Sequence, residues 1–253
     1  MAVNNLPKNG HVYTINGFDM YYEIFGTGTP LLLLHGFTGS GADLVSLFHS
    51  FTDQYQLIVP DLRGHGRSTN PPQEYTIKQS AMDVIALLKH LSITKCSAVG
   101  FSGGGCTLLH MAIQQPDLFQ AMVLVSATTH FPAQTQTIMH QFSTATKTED
   151  EWKEMRRVHF HGDEQIKLLW QQAGSLSDHQ NDMNMTSSQL STIRAKTLIM
   201  QGDRDPLYPI DITINMYKSM PNAFLWIIPN GGHVPITDKL KPSFLSYLSW
   251  FLK

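Results

Sequence analysis

The stretch Ala98-Val99-Gly100-Phe101-Ser102-Gly103-Gly104-Gly105 joins an apolar segment typical of a buried strand to a segment of helical character. It contains the pattern G-x-S-x-G, in which a serine lies on a sharp strand-to-helix turn. Such a turn imposes unusual dihedral angles on the serine, and side chains two residues before and after it would collide. Gly100 and Gly104 meet that requirement. The stretch therefore predicts that Ser102 is presented above a sheet as a nucleophile, with the N–H of Gly103 directed towards the same place.

Glycine-rich turns of this kind also occur in phosphate-binding loops and at strand ends without any catalytic role. Here no lysine follows the glycines, and no G-x-G-x-x-G precedes an acidic residue at the distance typical of a dinucleotide site. The strand that enters the turn therefore favours the catalytic interpretation.

Strand-like and helix-like segments alternate along the 253 residues, which is typical of a mostly parallel sheet covered by helices on both faces. Two segments of period two flank Asn16-Gly17, a hairpin dipeptide that predicts an antiparallel pair at one edge. Short apolar runs predict buried parallel strands, and they lie at residues 31–34, 57–60, 98–101, 122–125, 197–200 and 224–228. The predicted fold class is α/β, with a doubly wound, mostly parallel sheet.

The stretch between about residues 127 and 196 contains no convincing strand. It contains instead the capping box Thr148-Glu149-Asp150-Glu151, which predicts the start of a helix. We expect residues 129–194 to form a helical cap, called the insertion below, on a core made of residues 1–128 and 195–253. At least one aromatic side chain of the insertion is expected to face the site.

The motif His159-Phe160-His161-Gly162-Asp163 resembles part of the ligand set of a metallo-hydrolase. It lies in the insertion, however, and not in a loop at the end of a strand. Accidental spacing is therefore the preferred interpretation, and no metal is expected.

Ser102 needs a base to take its proton and a third group to orient that base. The run at 197–200 leads into a loop with two acidic candidates, Asp203 and Asp205, and the last apolar run leads into a loop that ends in His233. Both loops follow the carboxyl ends of strands, where open α/β sheets bind ligands. His233 is the only one of the twelve histidines that follows the candidate acids, and it is the predicted base.

Taken in this order, the motifs give the chain a resemblance to the α/β-hydrolase fold superfamily over nearly its whole length, except in the insertion. The motifs that carry the resemblance are His35-Gly36-Phe37, Asp61-Leu62-Arg63-Gly64-His65-Gly66-Arg67-Ser68, Gly100 to Gly104, Gly202-Asp203-Arg204-Asp205 and Gly232-His233.

The resemblance implies a role for each of several residues. Asp205 would be the acid behind His233, whereas Asp203 would be structural and bond its own turn. The backbone N–H groups of Phe37 and Gly103 would form the oxyanion hole. The 61–68 loop would be structural, so its side chains are not expected in the site.

The predicted function is that of a serine hydrolase, which cleaves a carboxylic ester or a related acyl bond through an acyl-serine intermediate without metal or cofactor. Phe101 and Gly103 differ from the residues usual beside the nucleophile in such enzymes, so no subfamily's substrate can be transferred. Ser102 excludes the aspartate nucleophile of dehalogenases and epoxide hydrolases of this fold. Two alternatives stay open, namely a lyase or C–C hydrolase of the same fold, and a small-molecule receptor that keeps the triad but turns over slowly.

Composition narrows the possible partners. A formal net charge of −2 gives no electrostatic reason to expect nucleic acid or an anionic membrane. No apolar run reaches the length of a membrane span, residues 1–10 lack the features of a signal peptide, and Cys96 and Cys106 are expected to be free thiols. We therefore expect a cytoplasmic enzyme. Its partner is expected to be a small acyl substrate, which the aromatic side chains of the insertion predict to be apolar. The sequence leaves its oligomeric state open.

Overall fold

The computed structural model describes residues 8–70, 75–142, 146–179 and 181–253, and within them eight strands form one sheet. The strands are β1 Gly10–Ile15, β2 Phe18–Phe25, β3 Thr29–Leu34, β4 Tyr55–Pro60, β5 Cys96–Phe101, β6 Phe119–Val125, β7 Lys196–Gly202 and β8 Ala223–Ile228. Their spatial order is β1-β2-β4-β3-β5-β6-β7-β8. β2 is antiparallel to both β1 and β4, and all the other neighbours are parallel. The predicted fold class is thereby confirmed.

The predicted hairpin joins β1 to β2. Ile15 pairs with Phe18, and the two residues between them, Asn16 and Gly17, have φ angles of 45° and 83°. Two successive left-handed residues match the right-handed twist of the flanking strands, and Asn-Gly tolerates that conformation at little cost. The dipeptide therefore closes the antiparallel edge.

Helices cover both faces of the sheet. They are α1 Gly41–Phe48, α2 Ile77–His90, α3 Gly103–Gln114, α4 Ala133–Met139, α5 Glu149–Val158, α6 Asp163–Ser175, α7 Ser187–Leu190, α8 Ile210–Ser219 and α9 Lys241–Phe251. In β3, Leu32 and Leu34 pack in one buried cluster with α2 and α3, whereas Leu31 and Leu33 pack in another with α1 and α9. Burial on both faces explains why this strand is apolar throughout rather than alternating.

The described residues between β6 and β7 form α4 to α7, as expected for the insertion. Thr148 and Glu151 form the predicted capping box at the start of α5, in which each side chain accepts from the other residue's backbone N–H. Met155 and Trp170 belong to a small apolar cluster that packs against Phe37. The insertion therefore contacts the loop that follows β3, while the division of the chain into core and cap stays a prediction.

Cys96 and Cys106 are buried free thiols, and burial raises the pKa of each to about 12. Among the helices of the described residues, none has both the length and the apolar composition of a membrane span. The expectation about a signal peptide concerns residues 1–10, of which 1–7 lie outside the described residues.

Candidate active site

Ser102 lies on the turn between β5 and α3, as the glycine pattern predicts. Its φ of 47° and ψ of −116° are strained for a residue with a side chain. A Cβ atom on Gly100 would lie 2.7 Å from the carbonyl carbon of Gly104, and one on Gly104 would collide with the carbonyl oxygen of Leu34. The two glycines therefore permit the turn that presents the serine at the amino end of α3.

Three of the predicted residues meet in one hydrogen-bonded series. The Oγ of Ser102 lies 2.8 Å from Nε2 of His233, and Nδ1 of His233 lies 2.8 Å from Oδ2 of Asp205. Since a carboxylate only accepts, Nδ1 carries the proton and Nε2 is free to accept from the serine hydroxyl. The His233 side chain is 20% exposed, whereas that of Asp205 is fully buried. Asp205 follows β7 and His233 follows β8, so the sheet brings together residues far apart in the chain.

The Asp205 carboxylate is held by other donors besides His233. Oδ1 accepts from the backbone N–H groups of Leu207 and Tyr208 at 2.8 and 3.2 Å, and Oδ2 accepts from Nε2 of Gln201 at 2.6 Å. Burial raises the pKa of Asp205, but the hydrogen bonds from His233 and the backbone amides outweigh burial and leave that pKa below its usual value. Asp205 is therefore an ionised carboxylate held in a fixed position beside His233.

The expectation that Asp203 bonds its own turn is wrong. Its Oδ1 atom is buried without a hydrogen-bond partner among the described residues. The loop bends so that the N–H groups of Leu207 and Tyr208 point at the carboxylate two and three residues before them, which is that of Asp205. Asp205 therefore both closes the turn and contacts the histidine.

Sequence reasoning missed two residues of the site, Gln201 and Tyr208. Gln201 is a fully buried polar residue near the end of the apolar strand β7, directly before the acidic loop, and that position was an available signal. The ring of Tyr208 packs edge-on against His233, with 5.1 Å between centroids. Burial raises the pKa of the Tyr208 hydroxyl well above its usual value. The position of Tyr208 depends on the path of the loop, for which the sequence carried no signal.

The two predicted oxyanion-hole residues lie side by side. A Cβ atom on Gly103 would lie only 3.4 Å from the backbone nitrogen of Phe37, and one on Gly36 would lie 3.4 Å from Cβ of Ser102. The missing side chain at position 103 therefore leaves room for the β3 loop (residues 35–39) to approach the serine. Gly103 is also the first residue of α3, so its free N–H adds to the positive end of the helix.

Three buried histidines lie in this loop or next to it, namely His35, His65 and His159. Burial lowers the pKa of His35 and of His159 to about 4, and it lowers the pKa of His65 well below the usual value. The rings of His35 and His65 lie 5.1 Å apart, and those of His65 and His159 lie 6.0 Å apart, measured between centroids. All three are therefore neutral at pH 7.

We expect the free energy of unfolding to fall as the pH is lowered from about 6.5 towards 4. In that window these histidines bind a proton in the unfolded chain but not in the folded chain. The free energy of unfolding therefore falls by about 1.4 kcal/mol per pH unit for each histidine. Asp61 acts in the opposite direction between about pH 6 and 4, because burial raises its pKa to about 6 in the folded chain. Urea unfolding followed by circular dichroism at pH 7, 6, 5 and 4.5 measures the net slope. A free energy of unfolding that is constant over this range would contradict buried, neutral histidines.

Two cavities formed by described residues meet at Ser102. The first has a volume of about 470 Å³, lies against the insertion, and includes Phe131, Phe142 and Trp170 in its wall. The prediction that an aromatic side chain of the insertion faces the site is therefore confirmed. The second cavity, of about 440 Å³, lies on the α1 side, and its apolar wall includes Leu44, Leu47, Phe101, Val125 and Ile236. Ser102 and His233 line both cavities, so a molecule bound at the serine can extend in two directions.

A family model described as alpha/beta hydrolase fold matches residues 29–191. The matched range covers well over half of the chain. It includes Phe37, Ser102 and Gly103, and it ends before Asp205 and His233.

Two curated relatives are similar to the chain. The soluble epoxide hydrolase of Corynebacterium sp. (strain C12) is 33% identical over 115 residues, which is 46% of this chain and 40% of that protein. The serine hydrolase BPHL of Mus musculus is 25% identical over 227 residues, which is 87% of this chain and 78% of that protein. The overlap with the first relative thus spans less than half of its length.

Among solved structures, the chain is similar to a meta-cleavage product hydrolase from Pseudomonas fluorescens IP01. The TM-score is 0.74 at 20% sequence identity, and the overlap covers 96% of this chain and 97% of that chain. At this level of identity the likeness shows a shared fold.

Proposed function

The chain belongs to the alpha/beta hydrolase fold family, and from that premise we propose that it hydrolyses a carboxylic ester or a related acyl compound, with Ser102 as nucleophile. The observation that carries the proposal is the hydrogen-bonded series from Ser102 through His233 to Asp205, with 2.8 Å at each contact. Such a series activates a serine hydroxyl, because the histidine can take its proton while the acid orients and stabilises the ring.

The first half of the proposed reaction forms an acyl-serine. The Ser102 oxygen attacks the carbonyl carbon of the ester and transfers its proton to Nε2 of His233. The carbonyl oxygen becomes negatively charged and accepts hydrogen bonds from the backbone N–H groups of Phe37 and Gly103. The bond from carbon to the alcohol oxygen then breaks, and His233 returns the proton to the departing alcohol.

The second half releases the acid. A water molecule gives a proton to Nε2 of His233 as its oxygen attacks the acyl carbon, and the same two amides stabilise the new oxyanion. Collapse of this intermediate breaks the bond to Ser102, which takes the proton back from His233. Throughout, Asp205 stays ionised and balances the positive charge on the ring.

The comparisons support a hydrolase, but they do not indicate which type of bond in the substrate is cleaved. The Corynebacterium protein is named an epoxide hydrolase, and its similarity covers less than half of this chain, so that reaction is not assigned here. The meta-cleavage product hydrolase shares the fold at 20% identity, so its substrate does not transfer to this chain. The BPHL relative covers most of this chain and is named a serine hydrolase, which agrees with a serine at position 102.

Pre-steady-state kinetics on a chromogenic ester test the proposal against a receptor that retains the same three residues. We expect many turnovers per protein molecule at a constant rate after any initial burst. A receptor would instead release one equivalent of alcohol and then almost stop, because its acyl-serine would persist. A burst without steady turnover across a broad panel of esters would therefore overturn the proposed function.

The two cavities favour an ester with an apolar group on each side of the reacting carbonyl. We expect kcat/KM to rise by about threefold to fourfold for each added methylene, until the cavity is full, because burial of a methylene is worth about 0.8 kcal/mol. The measurement is a matrix of esters in which the acyl and alcohol chains are lengthened independently.

Matched variants test whether each cavity receives one side of the ester. Ala173→Phe narrows the cavity at the insertion, and Leu47→Phe narrows the cavity at α1. Each should abolish the preference for long chains on one side of the ester only. Equal values of kcat/KM for acetyl and longer esters in the unaltered protein would contradict the assignment of an apolar substrate.

A further inference from the structure

His159 and His161, the two histidines of the H-x-H-x-D motif in the insertion, bond backbone groups of the core. The N–H of Phe160 donates to the carbonyl of Gly66 at 3.0 Å, and Nε2 of His161 donates to the carbonyl of Arg67 at 2.9 Å. The Arg67 guanidinium lies over the Phe160 ring, 4.2 Å from its centroid. This segment, residues 159–161, therefore attaches the insertion to the 61–68 loop.

His159 makes two hydrogen bonds that lead to different loops. Its Nδ1 accepts from the backbone N–H of Gly66 at 2.9 Å, so its Nε2 carries the proton and donates to the carbonyl of Thr38 at 3.0 Å. The residue is 2% exposed. A neutral ring in this orientation satisfies one buried donor and one buried acceptor at once.

Thr38 is held on both sides by histidine rings. Its N–H donates to Nε2 of His65 at 3.1 Å, and its carbonyl accepts from His159. Its φ of 66° lies in the left-handed region, which a β-branched residue rarely adopts unless its surroundings impose it. Two buried imidazoles therefore fix a strained residue in the β3 loop. Burial lowers the pKa of His65 well below its usual value, so its Nε2 stays unprotonated and accepts from Thr38 at neutral pH.

The residue before Thr38 is Phe37, whose N–H is the proposed oxyanion donor. The Phe37 N–H belongs to the peptide unit before Phe37, one residue away from the strained Thr38. Relaxation of Thr38 would shift the Phe37 backbone attached to it and displace that donor. We propose that His159 is a positioning residue for the oxyanion hole, through which the insertion holds the Phe37 amide in place for transition-state stabilisation. This inference rests on the proposed function of Ser102 and its oxyanion hole.

Removal of the His159 hydrogen bonds should lower kcat more than it changes KM. The oxyanion exists in the transition state and not in the bound ester, so a displaced donor weakens the transition state selectively. Loss of an oxyanion donor costs about 10²–10³ in rate, and a displacement of about 1 Å costs up to about 10². We expect His159→Phe to lower kcat by about tenfold to a hundredfold.

The matched control is His161→Phe. This variant replaces the same imidazole with the same phenyl ring, two residues away. It removes the hydrogen bond from residue 161 to the carbonyl of Arg67 in the 61–68 loop, whereas residue 161 makes no hydrogen bond to Thr38 among the described residues. We expect this control to keep kcat within about twofold of the unaltered protein. His159→Gln, whose amide offers one donor and one acceptor, should recover part of the lost kcat.

The experiment measures kcat and KM for one ester, the inhibition constant of the matching trifluoromethyl ketone, and the melting temperature of each variant. The ketone forms an oxyanion on Ser102, so its inhibition constant should rise by the same factor by which kcat/KM falls. If His159→Phe does not fold, His159→Met removes the same two hydrogen bonds with a more adaptable side chain.

Equal kcat values for the His159 and His161 variants would overturn the inference, as would a loss confined to KM or to the melting temperature. Failure of the proposed function would look different. In that case the unaltered protein would not turn over esters, and an organophosphonate, which reacts with activated serines, would not label Ser102.

Discussion

Replacement of Ser102 by alanine is expected to lower kcat by about 10⁶-fold, because the nucleophile and its base act as one unit. His233 is aligned with the Ser102 oxygen at 2.8 Å, and without that oxygen it has no alcohol to activate. The unaltered protein should also be labelled at this residue by an organophosphonate, since the same oxygen attacks phosphorus. Mass spectrometry of the labelled peptide identifies the residue.

Ser126 offers a matched control for this experiment. It follows β6 with a φ of 52°, so it shares the strained left-handed backbone of Ser102, but it is buried and its Oγ has no hydrogen-bond partner among the described residues. Ser126→Ala should therefore keep both labelling and turnover. Labelling of a serine other than Ser102, with activity intact in Ser102→Ala, would disprove the nucleophile assignment.

The second large effect is expected from Asp205→Asn, which should lower kcat by about 10⁴-fold with the fold intact. An amide at this position can donate to Nδ1 of His233 and so favour the tautomer with its proton on Nε2, which then cannot accept from Ser102. The loss of negative charge also removes the group that stabilises the protonated ring. Steady-state kinetics measure the effect, and circular dichroism checks the fold.

Asp203→Asn is the control for this prediction, since it makes the same chemical change two residues earlier. Asp203 lacks the turn bonds first expected of it, so the variant should keep kcat within about tenfold of the unaltered protein and should change the free energy of unfolding little. A nearly inactive Asp203→Asn beside an active Asp205→Asn would show that the acid has been assigned to the wrong residue.

The local features of the fold were predictable from sequence because they depend on neighbours in the chain. Gly100 and Gly104 are required by contacts within a few residues of Ser102 and with the strand beside it. The Asn16-Gly17 hairpin and the Thr148 capping box depend on backbone geometry over four residues or fewer. The order of the motifs along the chain then placed both candidate acids and His233 at the carboxyl ends of strands, and the resemblance to the family selected Asp205. The structure finds Asp205 and His233 within hydrogen-bonding distance of each other.

Other features of the site were decided by tertiary structure, because they depend on the path of each loop through space. In the turn after β7, a backbone N–H donates to the carboxylate of Asp205, whereas Oδ1 of Asp203 has no hydrogen-bond partner among the described residues. Both aspartates belong to the same short loop. His159 reaches Thr38 across 121 positions of sequence, a contact for which its own motif gives no signal. Sequence periodicity encodes which face of an element is buried, whereas the partner of a buried polar side chain is set only when distant loops pack together.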